Sequence, residues 1–169
     1  MTDGAVTMLG DLSIPEAAIR TLAAERACWE TYLTYFEVLD DKRSHLEACA
    51  CFTEDATITY GMKGGALEFT SRAEYADFLE GAAATQEMVA HVVGQHRFVW
   101  DGGTPRLITY VTVWQWFVAN AHGGELRPAD YVTIGHSVDE FRNVGDAWLI
   151  ARRTVRPAAG ITAIGSRPA

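Results

Sequence analysis

The chain has 169 residues, 49% of them apolar, with 22 acidic against 14 basic side chains and a formal net charge of −8. That length buries a full core without metal or disulfide staples, and the apolar content excludes disorder as the default; the acidic balance argues against nucleic-acid or anionic-membrane partners, which would be repelled at long range. A small neutral or hydrophobic molecule fits it better.

Three cysteines, Cys28, Cys49 and Cys51, fall in apolar, helix-like segments and read as buried thiols of a reducing, cytoplasmic compartment; Cys49-x-Cys51 lacks zinc or redox spacing. No leader pattern is read, and no apolar run approaches the roughly 20 residues of a membrane span. The expected organisation is a loose arm over 1–12, a single domain over 13–157 and a tail over 158–169.

In chain order, Ser13-Ile14-Pro15-Glu16 predicts a helix start, with Ser13 as N-cap, Glu16 as its reciprocal partner and proline in the first turn. Ile19, Leu22, Ala23, Trp29, Tyr32, Leu33 and Phe36 then recur at helical spacing to about Val38. Tyr32 and Tyr35 can each turn a hydroxyl inward. Asp40-Asp41-Lys42-Arg43 breaks the pattern, and Leu46, Cys49 and Phe52 mark one side of a short second helix, which either aspartate can cap.

Ala56-Thr57-Ile58-Thr59-Tyr60 alternates as a short strand, glycines turn it, and Leu67-Glu68-Phe69-Thr70 returns. Ser71-x-x-Glu74 starts a third helix with Tyr75, Phe78, Leu79 and Ala82 on one side. Strand-like segments follow at about 86–101, 107–121, 128–143 and 147–156, separated by Gly/Asp/Asn turns that join antiparallel neighbours. Helices first and a meander last predict an α+β domain, its helices packed on one face of a strongly curved, mostly antiparallel sheet that encloses a cavity.

The first long strand, Met88 to Trp100, carries two histidines five positions apart. Strict alternation sends His91 and His96 to opposite faces, so only one faces the interior. The choice falls on His91, between Ala90 and Val92, because His96 lies beside Gln95 and Arg97. The next strand, Thr109 to Phe117, is rich in rings, and Tyr110, Trp114 and Trp116 are read as the aromatic wall of a small-molecule pocket, with ordinary core or a subunit interface as the alternative. An open face bearing these rings favours a homodimer or homotrimer.

From Ile14 to Pro157 the arrangement resembles the SnoaL-like and scytalone-dehydratase-like group of cone-shaped α+β domains, related to nuclear transport factor 2. In that group an aspartate at the end of the first helix pairs with a histidine on the first long strand. The matching residues are Asp41, in Leu39-Asp40-Asp41-Lys42-Arg43, and His91, with Asp40 as the alternative inward residue. Tyr60 stands where scytalone dehydratase carries a water-activating tyrosine. The hexachlorocyclohexane dehydrochlorinase pattern adds an arginine on the last strand, matched by Arg153. That enzyme's helix lysine falls at about Phe36, so its halide chemistry is not implied. Scytalone dehydratase's second histidine falls near Trp116 or Phe117, and its helix tyrosine at Asp40.

What the resemblance implies is a cofactor-independent lyase or isomerase, of dehydratase or cyclase type, acting on a hydrophobic oxygenated ring. The residue types agree with it. An imidazole titrates near neutrality, and a carboxylate on its other nitrogen fixes the tautomer and stabilises the imidazolium. Asp41 orients, His91 acts as base and then acid, and Tyr60 with Tyr32 polarises oxygen; Tyr110, Trp114, Trp116, Phe36 and Arg153 contact substrate. Arg153 has a plainer reading as the partner of Asp139 or Glu140. The alternatives are a non-catalytic binding domain, or an epoxide hydrolase needing Asp101, Asp139 and Arg153 together. His45, His122 and His136 read as surface residues, and no grouping has metal-ligand spacing.

Overall fold

The structure, a computed structural model, describes residues 6–9, 12–41, 44–62, 65–121 and 127–162. Two short strands, β1 (Val6–Leu9) and β2 (Leu12–Pro15), form an antiparallel hairpin where a featureless arm was expected. This hairpin also moves the helix start. Ser13 and Ile14 pair with Met8 and Thr7, so the backbone geometry of an N-cap is taken up by strand, and α1 begins after Pro15 as Glu16–Asp40.

The buried positions of α1 are Cys28, Tyr32, Tyr35 and Val38, a stripe at spacings of four and three. Leu22, expected on the inner side, is 59% exposed, because the packed half of the helix begins at Cys28. A one-turn helix, α2 (His45–Cys49), leads into β3 (Phe52–Met62) and β4 (Gly65–Phe69). Helix α3 (Arg72–Ala83) carries the expected cap: the Ser71 hydroxyl accepts from the Glu74 N–H at 3.2 Å. The Glu74 carboxylate reaches back to the Thr70 N–H at 2.8 Å.

Then come β5 (Gln86–Asp101), β6 (Thr104–Phe117), a 3-10 turn at Val118–Asn120, β7 (Tyr131–Val144) and β8 (Ala147–Thr162). The six-stranded sheet has the order β4-β3-β8-β7-β6-β5. Every neighbouring pair is antiparallel except β3 with β8, which run parallel. The helices cover one face, giving the α+β fold expected from the sequence. The turn expected at 122–124, with His122, lies outside the described residues, as do Lys42 and Arg43.

Alternation decides which side chains enter the core. On β6, Leu107, Thr109, Val111 and Phe117 are buried, and the intervening Tyr110 and Trp114 are exposed by 37% and 41%. Across the sheet Thr109 faces Ser137, and Leu107 faces Asp139, all of them buried. Within the cone, Tyr32, Tyr35, Phe52, Ile58, Tyr75, Phe141 and Ile150 are sealed from solvent. No helix among the described residues is long and apolar enough to cross a membrane.

Candidate active site

The last turn of α1 lies against β5. Asp40, at the end of the helix, points both carboxylate oxygens at one residue of the strand: Oδ2 accepts the His91 backbone N–H at 2.9 Å and Oδ1 lies 2.6 Å from the His91 ring Nδ1. Because β5 is an edge strand, this N–H has no strand partner on its outer side, and the carboxylate satisfies it. The carboxylate is acceptor-only, so Nδ1 carries the proton in the neutral ring and Nε2 presents its lone pair. Nε2 has no hydrogen-bond partner among the described residues, and the His91 side chain keeps 11% exposure against 29% for Asp40.

The aspartate assigned from the sequence was Asp41, and here the structure makes a correction. The helix does not break before the acidic pair but runs through Asp40, which places Tyr32, Phe36 and Asp40 at successive spacings of four on the face toward β5. Asp41 is the C-cap, turned about 100° further round, and is exposed. Phe36 does line the site. Its ring lies 4.6 Å from His91 and 4.9 Å from Tyr35.

The strict alternation expected along β5 is also corrected, although His96 itself is exposed. Between Val93, paired with Val111, and His96, paired with Thr109, β5 holds two residues opposite Tyr110 alone, a β-bulge at Gly94-Gln95. The extra residue reverses the alternation, so His96 returns to the α1 side. There it stacks on Trp29 at 4.0 Å between ring centres. A glycine fits because a Cβ at position 94 would meet the Tyr110 carbonyl oxygen at 3.1 Å.

Deeper in the cone stands a second polar group, the Arg153–Asp139 pair, which agrees with the plainer reading of Arg153. The Arg153 Nε donates to Asp139 Oδ1 at 2.5 Å, and the Ser137 hydroxyl donates to Asp139 Oδ2 at 2.5 Å, with arginine and aspartate both sealed. The guanidinium carbon lies 4.5 Å from the centre of the Tyr35 ring, 4.9 Å from Phe52, 5.3 Å from Tyr32 and 5.7 Å from Phe36. Its Nη2 is buried and has no hydrogen-bond partner among the described residues. Burial raises the Asp139 carboxyl above its ordinary range, opposed by Arg153 and Ser137.

Tyrosine hydroxyls form the third group. Tyr35 and Tyr75 meet at 2.5 Å, Tyr75 and Tyr60 at 2.6 Å, while Tyr32 bonds Thr109 Oγ1 at 2.6 Å. Burial pushes Tyr32, Tyr35 and Tyr75 upward, so these phenols stay protonated. Phe36 is the ring that connects this group to the histidine.

The remaining assignments change. Tyr110 and Trp114 project from the opposite face of β6, away from the helices, and Tyr110 packs on His136 there at 5.0 Å. Trp116 shares their parity and donates its indole N–H to the Arg127 carbonyl at 3.0 Å. All three therefore belong to the outer side and not to the wall beside His91. The Asp–Arg–Asp set of an epoxide hydrolase is not assembled either, since Asp101 is exposed at the β5–β6 turn and Asp139 is sealed. A surface cleft of about 330 Å³ opens between α2 and α3, lined by Ser44, His45, Leu46, Ala76, Asp77 and Glu80, apart from the histidine and the tyrosines. Among the described residues no three His, Cys, Asp or Glu side chains stand close enough to hold a metal ion.

Residues 20–154 match the family model of the SnoaL-like domain. Among solved structures, a protein from Novosphingobium aromaticivorans provisionally named scytalone dehydratase superposes with a TM-score of 0.73 at 19% identity, over 89% of this chain and 99% of that one. The type 3 hexachlorocyclohexane dehydrochlorinase of Novosphingobium barchaimii gives 0.72 at 12% identity, over 90% and 98%. ActVI-ORFA from Streptomyces coelicolor gives 0.65 at 18%, over 80% and 98%. At these identities the likeness is one of fold. No curated protein matches the chain in sequence.

Proposed function

The chain belongs to the SnoaL-like family, and from that premise we propose that it is a cofactor-independent lyase or isomerase in which Asp40 and His91 move the proton. The observation that carries this reading is the double contact of one carboxylate with both the backbone and the ring of His91. It fixes the ring plane and the tautomer together, leaving Nε2 as the base. Proton removal places positive charge on the imidazole, which Asp40 stabilises at 2.6 Å. The imidazolium then returns the proton from Nε2 to a leaving oxygen or to carbon, so the cycle closes without an external acid.

The substrate class is a hydrophobic oxygenated ring. Phe36 supplies an apolar surface beside the imidazole, and Tyr60 supplies a hydroxyl for the oxygen on which charge develops. Tyr32 is reassigned: its hydroxyl is engaged by Thr109 and its ring lies near Arg153, so it supports the interior instead of touching substrate. Arg153 acts from behind the same rings as a fixed positive charge. The dehydrochlorinase and dehydratase names of the structural neighbours are eliminations of this kind, and they support the reaction class.

The experiment is a screen of oxygenated ring compounds for elimination or isomerisation, followed by His91→Ala and Asp40→Asn. Loss of turnover in both folded variants is expected, by about 10²–10⁴-fold for the base. A folded His91→Ala protein with undiminished turnover returns the chain to the rival reading, a pocket that only binds.

A further inference from the structure

We propose that Tyr35 and Tyr75 are positioning residues that direct the one spare hydroxyl proton of a three-tyrosine relay onto Tyr60, making Tyr60 the donor that meets a substrate oxygen. The part concerning substrate rests on the function proposed above; the direction of the relay does not.

Tyr35, Tyr75 and Tyr60 hold three hydroxyl protons, and the two bonds that join them use two. Tyr75, in the middle, has one proton and can donate to only one neighbour. The third proton therefore belongs to Tyr35, to Tyr75 or to Tyr60, according to the direction of the chain. Tyr35 is 2% exposed and Tyr75 is fully sealed, so a spare proton on either would be a buried donor without an acceptor among the described residues, at a cost comparable to a lost hydrogen bond. The guanidinium over the Tyr35 ring offers no relief, because arginine carries donors only. Tyr60 alone is partly exposed.

The low-cost arrangement is thus Tyr35 donating to Tyr75, Tyr75 donating to Tyr60, and Tyr60 donating outward. Each donation polarises the next hydroxyl, so the last is a better donor than an isolated phenol. Burial keeps the Tyr35 and Tyr75 phenols from ionising, which preserves the direction at any working pH. The fold arranges this by bringing three elements together: Tyr35 from α1, Tyr75 from α3 and Tyr60 from the inward row Ala56-Ile58-Tyr60 of β3.

The direction is read without any substrate. The full chain labelled with 13C at the tyrosine ζ position contains six tyrosines, assignable with single Tyr→Phe variants. In mixed H₂O and D₂O, a slowly exchanging hydroxyl splits its carbon signal and a fast one does not. Slow exchange of the sealed Tyr35 and Tyr75 hydroxyls holds for any direction, so Tyr60 is the readout: a single averaged line, its proton directed to solvent, is expected, and a split Tyr60 line, its proton held on Tyr75, overturns the direction.

The donor role is read by titrating 4-nitrophenol, as the phenolate, against its neutral isostere 4-nitroanisole. Tyr75→Phe, which removes no contact with the ligand, is expected to lower the phenolate preference about three- to tenfold, the size of one neutral hydrogen bond. Tyr60→Phe should abolish the preference. An unchanged preference in Tyr75→Phe overturns the positioning role, and a wild type that shows no preference, or binds neither compound, overturns the assignment of Tyr60 to a substrate oxygen. Neither result bears on His91, whose own variants test the proposed reaction.

Discussion

Asp40 holds His91 at two points, the ring Nδ1 at 2.6 Å and the backbone N–H at 2.9 Å, and no rotation of the imidazole keeps the first contact while turning Nε2 away. The neighbouring aspartate makes neither contact. Asp40→Asn is therefore expected to free the ring to choose its tautomer, whereas Asp41→Asn leaves it fixed. The check is 15N NMR of the histidine side chains: the His91 nitrogens should move toward a tautomer mixture in Asp40→Asn alone. Equal changes in both variants would sink the assignment.

The difference between these adjacent aspartates shows what sequence reading can and cannot reach. The order of helices and strands from the first helix onward, the capped start of α3 and the placement of His91 on the first long strand were legible, because periodicity and turn residues act locally. The helix C-terminus was not. Four polar residues in a row look like a break, yet the spacing Tyr32, Phe36, Asp40 continues the inner stripe by one more step, and that signal favours Asp40. The outward turn of Tyr110, Trp114 and Trp116 was not legible. Thr109 and Val111 make the better inner set once Thr109 has the Tyr32 hydroxyl as partner, a contact between residues 77 apart in sequence that no local pattern contains. The tyrosine relay joins three separate elements and was invisible for the same reason.

Gly94 gives a direct test of the bulge that brings both histidines to one side. An alanine Cβ there would press on the Tyr110 carbonyl at 3.1 Å, and backbone on both strands would have to give. Gly94→Ala is expected to destabilise by about 1–3 kcal/mol. In urea unfolding the midpoint should fall with the slope unchanged. A midpoint equal to that of the wild type would show that the strand relaxes freely at this position.

The buried Arg153–Asp139 pair predicts an asymmetry between breaking one partner and replacing both. Asp139→Ala leaves a guanidinium sealed among Tyr32, Tyr35, Phe36 and Phe52 without its anion, and a loss of about 3–5 kcal/mol is expected. The double variant Asp139→Leu with Arg153→Met removes both charges and should recover most of that loss. The two measurements are urea midpoints under one buffer. A double variant less stable than Asp139→Ala would mean that packing of the arginine stem, and not charge, dominates the site.

Asp130 ties the start of β7 to the end of β6, and its titration sets part of the acid stability. Oδ1 accepts from Arg127 Nη1 at 2.7 Å, and Oδ2 accepts the Phe117 N–H at 2.8 Å. Burial alone would raise the Asp130 carboxyl, but these donors outweigh it and hold the group below its ordinary 3.8. The folded chain therefore binds this proton less readily than the unfolded chain. The stabilisation is complete above the ordinary value and is lost as pH falls through the lower, folded value. Asp130→Asn should lower stability at neutral pH and flatten its fall below about pH 4, in urea midpoints taken from about pH 6 to about pH 3. The exposed Asp55, lowered to about 2 by its hydrogen bond to Arg142, keeps that partner in the variant. If Asp130→Asn shows the wild-type fall over that range, the carboxylate is not a contributor to acid stability, and the clasp works through its geometry alone.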